Sequence, residues 1–351
     1  MSTEICAAYV NPVQAGMNEG STERARFLYI DGGLLFAQIG SRLCTSDDYG
    51  ISWNEYPAKL RGGVHAFSRM HARLMRKGIH SIRLLSDGKI LILTKHAIWT
   101  YRKGCDVNDT FLIPRGTRPL FVCEDRGGAL FWGEYFSNPG RGEVHIYGSF
   151  DNAESWDVVY RLKNIRHVHG VFCDPYDNRI WVTTGDADAE SGIWVTGDRF
   201  KTIEKVTGGG QQHRAVQLIF TESYVYFGTD TPYERNYIYR LHKKSGEAER
   251  LAAVDSSVYW GCKVGKYIFF STAIEPSAVN TSEYACIWGA NDGEQWRCLT
   301  KLKKDPWPMK LFQLGQIFFP HGENGTGYLF YTPMATEGDQ TLQRVKVSEL
   351  F

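Results

Sequence analysis

Short apolar runs, separated by turn residues, recur along this chain at a spacing of roughly 40 to 50 residues. They are LLFAQI (34–39), ILIL (90–93), ALFWGE (129–134), IWVTTGD (180–186), VYFGTD (225–230), IFFST (268–272) and IFFPH (317–321). All but the first follow another short strand and a turn such as LLSDGK, CEDRGG or CDPYDNR, and each precedes a more polar strand. A helix needs a period near 3.6, and such periodicity is scarce here. Aromatics make up 14% of the residues and glycine contributes 36, which suits aromatic strands joined by glycine turns. The pattern predicts an all-β, single-domain β-propeller over 1–351, with about seven four-stranded blades and six as the alternative. The expected blades are 26–57, 79–113, 118–162, 167–206, 213–252, 256–301 and 310–347.

One stretch breaks the pattern. In GVHAFSRMHARLMRKG (63–78), Val64, Phe67, His71, Leu74 and Met75 fall near a helical stripe, with Arg69, Arg73, Arg76 and Lys77 mostly off it. The expectation is a short helical insertion between the first two blades with a solvated basic face. The sharper alternative is a basic lip for an anionic polymer.

Composition removes several classes. The formal charge is +1, so no global field points to nucleic acid. No apolar stretch approaches the ~20 residues of a membrane helix, and MSTEICAAYVNP lacks a signal-peptide pattern. The eight cysteines, Cys6, Cys44, Cys105, Cys123, Cys173, Cys262, Cys286 and Cys298, stand singly with no CxxC pair. That argues against a zinc site and for reduced residues in a cytoplasmic protein.

The turn sequence SDDYGISW (46–53) repeats in degraded form as SFDNAESW (149–156), TGDRFKTI (196–203) and GANDGEQW (289–296). An EF-hand reading fails because counting twelve from Asp47 reaches Ala58 rather than glutamate. Ser46, Asp48, Gly50, Ser52 and Trp53 match the Asp box, and the chain resembles the sialidase-like, or BNR, propellers. That resemblance implies that these turns are architectural, joining the third and fourth strands of a blade opposite the ligand face. Function is therefore expected at the other end.

Strand starts and ends at that other end are rich in acid–base and anion-holding side chains. The candidate catalytic residues are Glu134, Asp186, His167, His169, Arg214 and Tyr259. The candidate substrate-binding residues are His80, Arg83, Arg118, Asp188, His213, Asp230, Trp260, Glu275, Lys310 and His321. The HxH pair also permits a metal, with Asp186 or His213 as third ligand, but its spacing is not diagnostic; the expectation is no metal and no cofactor. A sialidase would need an arginine triad, for which Arg83, Arg118 and Arg214 are the candidates, and a tyrosine nucleophile such as Tyr259. The FRIP-like motif of that group has no good counterpart, since LIPRG (112–116) places its proline and arginine differently.

The family resemblance implies carbohydrate chemistry. The leading expectation is a glycoside hydrolase-like enzyme that cleaves an anionic oligo- or polysaccharide with a carboxylate pair, Glu134 with Asp186 being one choice. The first alternative is a uronate polysaccharide lyase using the His, Tyr and Arg set. The second is a non-catalytic binding or assembly propeller.

Overall fold

The computed structural model describes residues 13–14, 24–58, 60, 64–66, 68–103 and 108–351. Cys6, Cys105, Gly63 and Phe67 lie outside the described residues. The six described cysteines form no disulfide among the described residues.

Apart from short helices, among them Arg69–Met75 and Met309–Phe312, the regular structure is β. The strands form a ring of small antiparallel sheets, a β-propeller, in which the first strands of successive sheets lie side by side around the centre. Five sheets are discrete four-stranded blades. Four of them span 81–112, 123–162, 167–208 and 215–253, and the fifth contains the last strands of the chain. Its order is Val13–Gln14, Gln343–Lys346, Tyr328–Met334, Gln316–Phe318, so an N-terminal strand closes the C-terminal sheet.

The meanders 25–55 and 258–303 are not discrete. His321–Asn324 runs parallel to Tyr29–Gly32 and also pairs with Val264, which fuses both meanders into one nine-stranded sheet. The expected count of about seven four-stranded blades, with six as the alternative, is thus corrected to five. The cause lies in the IFFPH run. Gln316–Phe318 pairs with Tyr328–Met334, the chain then passes Pro320, which has no N–H to donate, and His321 turns inward as a central strand.

The SDDYGISW turn joins Arg42–Ser46 to Asn54–Glu55. Ser46 Oγ donates to Asp48 Oδ1 at 2.7 Å and accepts from Gly50 N–H at 2.8 Å, while Ser52 N–H and Oγ–H both donate to Asp48. The same bonds recur at Ser149, Asp151 and Ser155, and at Thr196, Asp198 and Thr202. Gly50, Ala153 and Phe200 occupy the equivalent left-handed position at φ 78°, 67° and 70°, so two copies accept a conformation that favours glycine. GANDGEQW is different. Asn291 pairs with Glu294 around Asp292 and Gly293, both at positive φ, as a two-residue hairpin. These tips tie to neighbours along one rim: Lys89 donates to Asn152 O, Arg199 pairs with Asp125, and Arg344 donates to Tyr49 O.

Strand register places the opposite rim. In the 167–208 blade Ile180 pairs with Thr196 at the turn end, while Thr184 pairs with Gly192 and His167 with Gly185 at the other. Between the two rims the centre is filled by aromatic side chains. Phe121 packs on Phe172 at 4.7 Å and on His321 at 5.3 Å, and Trp260 packs on Phe318 at 5.0 Å.

The helix is Arg69–Met75, capped by Ser68, whose Oγ accepts from His71 N–H. Its orientation reverses the expectation: Leu74 and Met75 are exposed and Arg73 is buried. Arg73 pairs with Asp305 and Asp339, donates twice to Phe312 O and lies over the Trp307 ring at 4.6 Å. A polar anchor overrides the apolar stripe. Removing one partner of a buried ion pair leaves the others uncompensated. Arg73→Ala is expected to lower stability by about 3–5 kcal/mol, read as a lower urea midpoint with an unchanged slope.

Candidate active site at the channel mouth

The site is built on the first two strands of the 167–208 blade, His167–Cys173 and Ile180–Gly185. The register shifts between Val168 and Gly170, making His169 the extra residue of a β-bulge. Bulges of this kind re-aim a side chain, and here both imidazoles reach the same spot. Tyr259 is the extra residue of an equivalent shift between Val258 and Trp260 in another inner strand. A Cβ at Gly185 would lie 2.6 Å from His169 Cε1, so only glycine lets the second strand pass so near the ring.

His169 Nδ1 lies 2.9 Å from Ala215 O and His167 Nδ1 lies 3.1 Å from Phe136 O. A carbonyl can only accept, so both Nδ1 atoms carry hydrogen. In the neutral rings both Nε2 atoms then present lone pairs. Those atoms are 3.1 Å apart and lie 3.4 and 3.3 Å from Asp186 Oδ1. Arg214 Nη2 reaches the same oxygen at 3.1 Å, and Arg166 Nη1 reaches Oδ2 at 3.0 Å. Burial pushes the Asp186 carboxyl up, but hydrogen bonds from His167 and His169, which form only when Nε2 also carries a proton, and the Arg214 charge outweigh it, holding the group well below the usual carboxylate range.

Arg214 also approaches Asp230 Oδ2 at 3.4 Å and donates to Asp186 O. Burial works against its charge, yet Asp230 and Asp186 hold its pKa above the ordinary value. Glu275 accepts from Ser257 Oγ at 2.9 Å and is hydrogen-bonded to Tyr259. Burial, then the Asp230 charge, raises the Glu275 carboxyl, and burial with Asp230 and Glu275 raises the Tyr259 phenol well above its ordinary range. Tyr135 packs on the His167 ring at 4.3 Å, and burial first, then Asp230 and Asp186, pushes its phenol to about 12. Asp230 Oδ1, Arg214 Nε and Gln211 Oε1 are buried without a hydrogen-bond partner among the described residues.

The ligand atoms of His167, His169 and Asp186 lie within 4.8 Å of one another. Two imidazole lone pairs and a carboxylate oxygen converging in this way fit a divalent cation. The expectation of no metal at the HxH pair therefore meets a donor set suited to one, with Asp186 rather than His213 as the third member.

Of the expected residues, His167, His169, Asp186, Arg214 and Asp230 come together, with Tyr259 and Glu275 beside them. Others do not. Glu134 is fully buried, bound bidentately by Arg115 and accepting from His145 N–H at 2.7 Å, so it offers no free carboxylate. His213 faces Thr207 Oγ1 at 3.2 Å and lines a separate cavity that includes Arg235 and Tyr239. Asp188 is exposed and accepts from Gln211 as a loop brace. Trp260 donates to Gln316 and, with His321, belongs to the aromatic filling, where burial and the charges of Arg26 and Arg83 push His321 down to about 4. Arg83 pairs with Glu124 at 3.5 Å. Lys310 is exposed on the Met309–Phe312 helix. His80 and Arg118 line a different cavity, together with Arg26 and Arg76. Arg166, Tyr135 and Gln211 were missed by the sequence reading, although Arg166 directly precedes HVHG and Tyr135 directly follows Glu134.

No family model and no curated protein matches the chain. Solved structures do resemble it. A catalytically inactive virginiamycin B lyase from Staphylococcus aureus with quinupristin has a TM-score of 0.60 at 12% identity, covering 95% of this chain and 98% of its own. Oligogalacturonate lyase in complex with manganese has a TM-score of 0.59 at 10% identity, covering 96% and 95%. YCF48 bound to a peptide has a TM-score of 0.58 at 10% identity, covering 95% of each. At these identities the likeness establishes the propeller fold, and the propellers that share it include two lyases.

Glu275 yields a stability test. A carboxyl whose pKa is raised by folding destabilises the folded state once pH exceeds the unfolded value of about 4.3. Glu275→Gln removes that penalty. Its melting temperature is expected to exceed wild type by a few degrees at pH 7, with the difference vanishing below about pH 4; scanning calorimetry across pH reads both.

Proposed function

We propose that the channel mouth is the active site of a polysaccharide lyase acting on uronate-containing oligomers. The observation that carries this reading is the meeting of Arg214, Arg166, His167 and His169 on Asp186, beside two phenols that stay protonated at neutral pH. Elimination needs cationic groups against the substrate carboxylate, an acceptor for the proton at C5 and a donor for the leaving oxygen at C4. Arg214 and Arg166 supply the first. Asp230 Oδ1, buried without a partner among the described residues, takes the C5 proton. The electron pair forms the C4–C5 double bond as the C4–O bond breaks, and Tyr259 or Tyr135 protonates the leaving oxygen. His167, His169 and Asp186 would hold a divalent cation, which when bound adds positive charge opposite the same carboxylate. Manganese in the similar oligogalacturonate lyase supports that assignment.

A second reading has one observation in its favour. Glu275 has a raised pKa and lies close enough to Asp230 to feel its charge, and a proton-holding carboxyl beside a second carboxyl group suits glycoside hydrolysis. The pair first expected, Glu134 with Asp186, is weakened because Glu134 is committed to Arg115.

Incubation with uronate polysaccharides plus manganese is expected to raise the unsaturated-uronate absorbance, and a chelator to suppress it. Arg214→Ala and Asp230→Asn are expected to lower kcat/KM by about 10²–10⁴-fold, with circular dichroism unchanged. New reducing ends without that absorbance would replace the lyase with a hydrolase, and no product from any uronate polymer would overturn the enzymatic reading.

A further inference from the structure

A cavity of about 90 Å³ lies between the Arg69–Met75 helix and the inner strands. Arg24, Arg26, Arg73, Arg76, Lys77, His80 and Arg118 contribute to its wall, and no aspartate or glutamate does. Two of these cations are engaged. Arg24 donates to Val64 O and Lys77 O, and Arg73 is paired with Asp305. Arg26, Arg76, Lys77 and Arg118 have no carboxylate partner among the described residues. Arg26 lies over the Phe318 ring at 3.8 Å, and its Nε and His80 Nε2 are buried without a hydrogen-bond partner among the described residues.

These groups repel one another. Burial, then Arg118, pushes Arg26 down to about 9. Burial holds Arg118 near about 10, and burial with Arg118 and Arg26 drives His80 well below its ordinary value. Both guanidiniums nevertheless remain charged at neutral pH. Like charges gathered where access to water is restricted are costly unless an anion compensates them, and arginine's planar fork matches oxyanions in particular. The remaining wall carries no charge and mixes apolar side chains such as Ile79, Phe318 and Met334 with glutamines, of which Gln313 and Gln316 offer further amide donors. The volume admits one oxyanion group rather than a sugar ring. Tyr135 joins the cavity to the catalytic cluster, since its phenol feels Arg118 as well as Asp186, Asp230 and Arg214.

We infer that Arg26, Arg118 and His80, with Arg76 and Lys77 at the rim, form an oxyanion-binding site for a carboxylate, phosphate or sulfate group. If the lyase reading holds, that group is the acidic substituent of the sugar unit next to the one that reacts. If it does not, the site still takes a free anion, because the charge argument needs no turnover.

The probe is inorganic phosphate in an otherwise chloride-only buffer. Titration calorimetry on wild type should show saturable binding, accompanied by a rise in melting temperature. Arg118→Met should weaken that binding at least tenfold. It should also melt at or above wild type when phosphate is absent, because an uncompensated charge has been removed. Equal phosphate affinity in both proteins, or no binding to either, overturns the site. So does an Arg118→Met protein that is markedly destabilised without phosphate, since the guanidinium would then be satisfied within the fold. Oligouronate that displaces phosphate identifies the substrate as the source of the group. Phosphate binding that is lost in Arg118→Met but insensitive to oligouronate identifies a free anion.

Discussion

Asp186 is the point on which the mouth of the ring depends. Its carboxylate collects His167 and His169 from one strand, Arg166 from the loop before it and Arg214 from the next blade. Those partners surround a carboxylate that is only partly exposed and hold it ionised. The arrangement works in reverse as well. Without Asp186, two guanidiniums and two imidazoles would face each other across a narrow space. The cluster therefore serves as adhesive between blades and as a preorganised field, two roles a single deletion would not separate.

The mouth divides into unlike halves. Around Asp186 and Asp230 the signs alternate, and each cation has an acidic neighbour. Around Arg26 and Arg118 the charged groups are all positive, set among glutamines and apolar side chains. Tyr135 stands between them and registers both. A ligand with more than one negative group, spaced along a chain, would meet both environments together. That polarity distinguishes this mouth from a flat aromatic platform that reads sugars by stacking.

Much of this was legible in the residues, and the limits have physical causes. Blade period and strand identity follow from alternation and turn chemistry, which are local properties. What failed needed one-residue precision. Glu134 and Tyr135 are neighbours at a strand end, and the residue chosen for the channel points instead to Arg115 and His145, because adjacent side chains on a strand take opposite faces. The bulges at His169 and Tyr259 have no sequence signature, yet they carry two of the site's most telling side chains. Arg73 defeated the helical stripe because its partners, Asp305 and Asp339, are remote in the sequence. The fused sheet likewise depends on a long-range parallel pairing, of His321 with Tyr29. His213 sits beside Arg214 in the chain, but the short helical turn Gln211–His213 rotates it toward a different cavity.

The aromatic packing of Phe121, Phe172, Trp260 and Phe318 has a consequence for traffic. A polymer cannot be threaded through the axis like a string through a bead. Under the lyase proposal, whatever enters would have to back out by the same door, a shape that suits a chain terminus or a short fragment rather than the interior of a long strand.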